Sequence, residues 1–234
     1  MQNYYKTIGA LVVASAFAAG NASAEVESEV HVGYTSEYLF RGLNLGQDLV
    51  EAGVNVSTEY NGFGLSAGAW YGSFGDSTGA SFDELDLYGE VSRDLGFATA
   101  SIGYIYYANL GAAGADAEEV KFALARNFYG VDYSIAYFWD IETDNDGYTE
   151  LAASKGFALN ECLTLSTSAA LGYLWEHSEF AHVTAKVALD YAYSETATIS
   201  PFIAHSWSLT NDAATTHAVT ENEFVAGTML SVSF

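Results

Sequence analysis

The chain is short of bases, of cysteine, of proline and of long apolar runs, and each shortage closes off a class of protein. Seven Lys and Arg stand against 30 Asp and Glu, a formal net charge of -23. A nucleic-acid binder needs a basic face to meet phosphate, and this composition does not supply one. One Cys in 234 residues can form neither an internal disulfide nor a thiolate metal cluster by itself. One Pro excludes a Pro-rich linker array. After residue 24 no window approaches ~18 consecutive apolar residues, which excludes a transmembrane helix. Charged residues make up 16% of the chain and aromatics 15%, so the acidity is not that of a disordered polyanion.

Residues 1–24 hold one charge, Lys6, then a mostly apolar run from Ile8 to Ala19 and the small residues Ala22-Ser23-Ala24. This is the pattern of a secretory signal peptide with its cleavage site. The run is too short for a membrane anchor, which takes about 20 residues. The expectation is therefore a signal peptide over 1–24 and one mature domain over 25–234. An exported chain rich in Tyr, Phe, Trp, Val and Leu either has a large soluble β-core or meets lipid through strands.

What the chain has in abundance is a period of two. Val30, Val32, Tyr34, Ser36, Tyr38 and Phe40 alternate with His31, Gly33, Thr35, Glu37, Leu39 and Arg41. Phe63, Leu65, Ala67, Ala69 and Tyr71 alternate with Gly64, Ser66, Gly68, Trp70 and Gly72. Val131, Tyr133, Ile135, Tyr137 and Trp139 oppose Asp132, Ser134, Ala136 and Asp140. Successive strand side chains point to opposite faces, so one face is apolar and aromatic and the other small and polar. The pattern predicts twelve strands near 29–42, 48–60, 62–74, 81–94, 96–109, 117–128, 130–143, 147–159, 162–177, 180–194, 197–210 and 221–234. Pro201 cannot donate to a ladder, which predicts a bulge or register change there. Short connections such as Asn61-Gly62, a strong hairpin signal, alternate with longer ones at 42–48, 75–80, 110–116, 144–147 and 211–220.

Short turns at one end, longer loops at the other and an even strand count describe an all-β, transmembrane, antiparallel up-and-down barrel of the bacterial outer membrane. Aromatics on the apolar face cluster near strand ends. Tyr38, Phe40, Tyr71, Tyr106, Trp139, Trp175 and Trp207 fall toward the long loops. Tyr60, Phe63, Phe97, Phe128, Tyr193 and Phe234 fall toward the short turns. Two such belts mark the two membrane interfaces. A final Phe234 resembles the terminal aromatic that barrel-assembly machinery reads in this class.

Tyr34-Thr35-Ser36-Glu37-Tyr38-Leu39-Phe40-Arg41-Gly42 resembles the opening motif of the small porin-like proteins called the TorF family. Phe63 to Trp70, Glu84 to Tyr88 and Ile102 to Tyr107 fit the same family, and the resemblance thins after Leu110. It implies an outer-membrane pore of unassigned substrate and no catalytic residues.

The inward face then decides function. Eight strands enclose a filled barrel and 16–18 a wide channel, so ~12 suit a narrow pore. The expected lining is Glu37, Arg41, Glu51, Glu84, Asp86, Glu90, Glu119, Lys121, Asp140, Glu150, Glu176, His182, Lys186 and Asp190. Carboxylates in such excess favour cations in a confined channel. Expected partners are outer-membrane lipid and lipopolysaccharide, the assembly machinery, and small solutes or cations, with no nucleic acid. The competing reading is a closed structural or adhesive barrel, plugged by pairs in which Arg41 bridges Glu37, Glu51 or Glu84. An outer-membrane hydrolase is a third. It would need a Ser beside a His on the lipid-facing surface, and His205-Ser206 point to opposite faces; Glu142, Asp144 and His177 are the thin alternative for a protease. Asp140, Glu142, Asp144 and Asp146-Gly147 crowd one loop. Counted from Glu142, an EF-hand would need Glu where Ala153 stands, so no metal site is expected, and no cofactor. Cys162 reads as structurally inert.

Overall fold

Strands that face hydrocarbon can leave no edge open, because each unpaired N–H or C=O there costs several kcal/mol. The chain meets this constraint by closing on itself. The computed structural model describes residues 26–76, 79, 81–110, 115–142, 146–210 and 220–234. The predicted signal peptide and Asp144 lie outside them. The described residues form twelve strands: β1 (Glu27–Phe40), β2 (Leu43–Tyr60), β3 (Phe63–Gly75), β4 (Ser81–Asp94), β5 (Thr99–Asn109), β6 (Ala117–Phe128), β7 (Val131–Asp140), β8 (Tyr148–Asn160), β9 (Leu163–Leu174), β10 (Glu179–Ala192), β11 (Ala197–Ser208) and β12 (Glu223–Ser233). Each strand pairs antiparallel with its chain neighbours, and β12 returns to β1 to complete a closed barrel. The closing ladder runs from Glu29↔Ser233 to Thr35↔Gly227. At its end the Phe234 N–H donates to the Ser28 carbonyl at 2.8 Å.

Turn chemistry sorts the two ends. Asn61-Gly62 and Tyr129-Gly130 have φ of 53° and 76°, and 53° and 71°. This is the left-handed pair of a type I′ turn, whose twist matches that of the flanking strands. At the other end three of the predicted longer connections recur between β3 and β4, β5 and β6, and β7 and β8, with a fourth between β11 and β12. The predicted connection over 42–48 does not. There β2 begins at Leu43, and Arg41-Gly42 form a tight turn with φ of 47° and 79°. The expectation at Pro201 is also corrected. Register from Ala197↔Val232 to Ser206↔Glu223 is continuous through Pro201↔Thr228. Toward β10, pairing stops at Ala188↔Phe202 and resumes at Tyr191↔Ile199 in the same register. The missing N–H interrupts the ladder there without slipping it. Register shifts fall instead at Tyr38/Leu39, Gln47/Val50, Phe180/His182 and Ala158/Asn160.

The apolar rows point outward. Val32, Leu87, Ile102, Ile135, Leu151 and Ile203 are all exposed in mid-strand. A band of that kind faces lipid in a barrel. Tyr71, Trp139, Trp175 and Trp207 are exposed toward the long loops, and Tyr60, Phe63, Phe97, Phe128, Tyr193 and Phe234 toward the short turns. Girdle hydroxyls find carboxylates above the apolar band: Tyr71 donates to Asp83 at 2.9 Å, Tyr104 to Glu118 at 2.7 Å and Tyr106 to Asp116 at 2.6 Å. Tyr38 and Phe40 break the predicted belt. They are 4% and 0% exposed and lie inside the barrel, because β1 leaves the wall where its pairing with β12 ends at Thr35↔Gly227.

Ile135→Arg puts a cation at mid-strand on the lipid face and is expected to cost about 2–4 kcal/mol. Ser134→Arg, one residue away on the lumen face, is expected to cost far less. Denaturant-dependent folding into lipid vesicles measures both.

Candidate functional site: the barrel interior

Small inward residues leave room and large ones take it, so their distribution shapes the lumen. Toward the short turns Tyr88, Lys186 and Phe202 stand inward among many small positions. Gly64, Ser66 and Gly68 of β3, Ser101 and Gly103 of β5, Ser154 and Gly156 of β8, and Ser166 and Ser168 of β9 are among the small ones. Toward the long loops the interior holds rings. Tyr38, Phe40, Trp70, Tyr107, Phe138 and Tyr148 pack with Leu49, Ile105 and Leu174 into one buried cluster.

The β1–β2 hairpin creates this difference. Strands about 4.8 Å apart and tilted by about 40° wrap twelve into a cylinder of about 24 Å across the backbone. The hairpin tip crosses that width. Arg41 Nη1 and Nη2 donate to both oxygens of Glu119 on β6, at 3.0 and 2.9 Å. The same guanidinium lies 4.8 Å from the ring centre of Phe138 on β7 and 4.2 Å from that of Tyr148 on β8. A Cβ on Gly42 would stand 2.6 Å from the Cβ of His182 on β10, so only glycine lets the tip seat there. The strand order places β7 diametrically opposite β1. The bidentate fork and the two rings together hold a guanidinium whose side chain is 5% exposed.

Polar groups on the far wall are tied into a chain. The Tyr148 hydroxyl lies 2.9 Å from His182 Nε2 and 3.4 Å from Glu150. His182 Nδ1 lies 2.9 Å from Thr184 Oγ1, which donates to Ser206 at 2.9 Å. Elsewhere, the Lys121 ammonium reaches Glu90 at 2.7 Å, passing over Gly103, the residue opposite both. Trp70 Nε1 donates to Glu51 at 2.7 Å, Tyr38 to Glu84 at 3.3 Å and Ser166 to Asp190. Lys186 Nζ sits 3.9 Å from the Phe202 ring centre.

Glu51, Glu84, Asp86, Glu90, Glu119, Lys121, Asp140, Glu150, His182, Lys186 and Asp190 of the predicted lining all stand on the inward rows of their strands. Glu37 sits near the mouth and accepts from Asn44 across the hairpin. Two expectations change. Glu176 is exposed in the turn over 175–178, beside His177 at 3.9 Å. Arg41 bridges none of Glu37, Glu51 and Glu84; it takes Glu119, because the hairpin leans away from its own neighbours. Tyr107 and Tyr148 were not anticipated in the interior cluster. Leu43, Leu45 and Leu49 carried the signal, since the alternation continues through the supposed loop. Of the residues weighed for hydrolysis, His205 packs on Trp207 on the outer surface, with ring centres 4.5 Å apart. Cys162 lies in a short turn, its N–H donating to Asn160 Oδ1 at 3.0 Å.

Comparison with known proteins follows the fold. No family model matches the chain, and no curated protein matches it by sequence. Solved structures do. An outer-membrane channel from Pseudomonas putida F1 aligns with a TM-score of 0.57 at 10% identity, over 92% of this chain and 97% of that one. The KdgM porin aligns at 0.55 and 10% identity, over 88% and 99%. The outer membrane phospholipase A of Escherichia coli aligns at 0.52 and 13% identity, over 88% and 89%. The shared property is the barrel. At such identities the inward residues are this chain's own, and its acidic, hairpin-crossed interior has to be read from its own side chains.

Tyr148→Phe removes the hydroxyl between His182 and Glu150 and breaks both contacts. It is expected to lower unfolding stability by about 1–3 kcal/mol. Equilibrium unfolding of the detergent-refolded protein against the parent gives the number.

Proposed function

We propose that the protein is an outer-membrane channel for passive diffusion of small solutes, with a preference for cations. The observation that carries this reading is the inward face itself. Its carboxylates outnumber its bases. Glu119 and Glu90 are occupied by Arg41 and Lys121. Glu51 and Asp190 add carboxylates, with Lys186 as the remaining inward base of the expected lining. Fixed carboxylates in a narrow, low-dielectric passage raise the local cation concentration. The fold shared with a channel and a porin supports the reading, as does the TorF-like segment over 34–42. A KdgM porin has been solved with oligogalacturonate, a polyanion; the acidic interior here argues for a different cargo. The outward apolar band would sit in lipid and lipopolysaccharide, and Phe234 would be presented to the assembly machinery.

A closed barrel is the second reading, favoured by the hairpin that spans the mouth. The phospholipase likeness adds only the fold, since His205 rests against an indole.

Planar-bilayer recording under a KCl gradient tests the channel. The expected reversal potential has the sign of cation selectivity, and Glu51→Gln combined with Asp190→Asn moves it toward zero. Anion selectivity would overturn the preference, and silence from protein that shows heat-modifiable gel migration would favour the closed barrel.

A further inference from the structure

The β1–β2 hairpin is joined to the barrel differently from the other strand pairs. Among the described residues, β1 pairs with β12 only as far as Thr35↔Gly227. On the other side, β2 meets β3 at Gln47↔Gly75 and then slips before Val50↔Ser73. Between those limits the two arms pair with each other, through Glu37↔Gln47, Tyr38↔Gly46, Leu39↔Asn44 and Phe40↔Leu43. The ribbon over 36–46 is thus a leaf held at its base. Register shifts at Tyr38/Leu39 and Gln47/Val50 flank that base, and Asp48 is left-handed at φ 53°. Bulges bend a strand and re-aim it.

Beside the buried packing of Tyr38 and Phe40, the charged anchor of the tip is Arg41. Arg41 occupies a left-handed turn position, at φ 47°, uncommon for a residue other than glycine. Its guanidinium supplies the ion pair to Glu119, and its buried Nε has no acceptor among the described residues. A partly satisfied buried pair is a weak source of stability. Swinging the leaf out into the mouth rehydrates both charges.

We propose that this hairpin is a hinged plug that closes the long-loop mouth of the channel, latched by the Arg41–Glu119 ion pair. The proposal rests on the channel reading. The closed state is the one seen here, with the tip against β6, β8 and β10. Opening swings the leaf about its bulged base, undoes the fork and frees the passage bounded by Glu119, Tyr148 and His182.

The test uses the full chain refolded in detergent, with Cys162→Ser and Leu43→Cys as a reporter, since Leu43 packs partly buried against the interior cluster. Labelling by a membrane-impermeant maleimide is read beside single-channel recording, with heat-modifiable migration as the control for folding. Arg41→Gln and Glu119→Gln are each expected to speed labelling roughly tenfold, the shift that follows from losing the latch. Both are expected to replace a low, mostly closed conductance with a larger and longer-lived one. Arg41→Glu combined with Glu119→Arg is expected to restore both readouts toward the parent. Unchanged labelling and unchanged conductance in folded single variants would overturn the latch while leaving the channel intact. Faster labelling with an unchanged, finite conductance would overturn the gating role. Faster labelling with every variant electrically silent would overturn the channel reading and leave a mobile hairpin on a closed barrel.

Discussion

Everything in this protein follows from the need to pair every backbone group in a strand that faces hydrocarbon. A helix meets that need within itself; a strand meets it only through neighbours on both sides. The twelfth strand must therefore find the first, and it does so through the ladder from Glu29↔Ser233 to Thr35↔Gly227. Once the ribbon is closed, the pleat assigns each side chain to one of two solvents. Apolar rows that would make a soluble sheet aggregate become the surface that lipid wets, and the polar rows are confined inside.

That confinement explains the chemistry of the interior. A net charge of -23 spread over an open surface would be screened by salt. Turned inward, part of it is held where screening is weaker, and the few bases are committed to local partners: Arg41 to Glu119, Lys121 to Glu90. Glycine takes part in this arrangement by leaving space. Gly103 lets the Lys121 side chain pass over to the neighbouring strand, and Gly42 lets the hairpin seat against His182.

The rings that fill the long-loop half of the interior gather around one short segment. Residues 36–46 have the same alternation as the wall strands, yet among the described residues they lack wall partners on both sides over most of their length. A ribbon without neighbours has unpaired outer edges, and water in the lumen can satisfy those edges where lipid could not. The inside of the barrel is therefore the place where a detached hairpin of this kind can sit.

The barrel class, the strand number and the facing of nearly every strand were legible in the sequence, because a period of two assigns faces without reference to any distant residue. The girdles at Trp139, Trp175 and Trp207 followed from the same local rule. The rule failed at Tyr38 and Phe40, and at the connection over 42–48, for one reason. Alternation tells which side of a ribbon a residue occupies, but not whether the ribbon lies in the wall or bends across the lumen. The partner of Arg41 was undecidable for the same reason, since Glu119 is 78 residues away in the chain and meets the guanidinium only through the closure of the barrel. Composition and period by themselves determined a closed sheet with an acidic interior; which acids meet which bases, and that the mouth is crossed, was decided by the curvature that brings opposite strands within reach of one side chain.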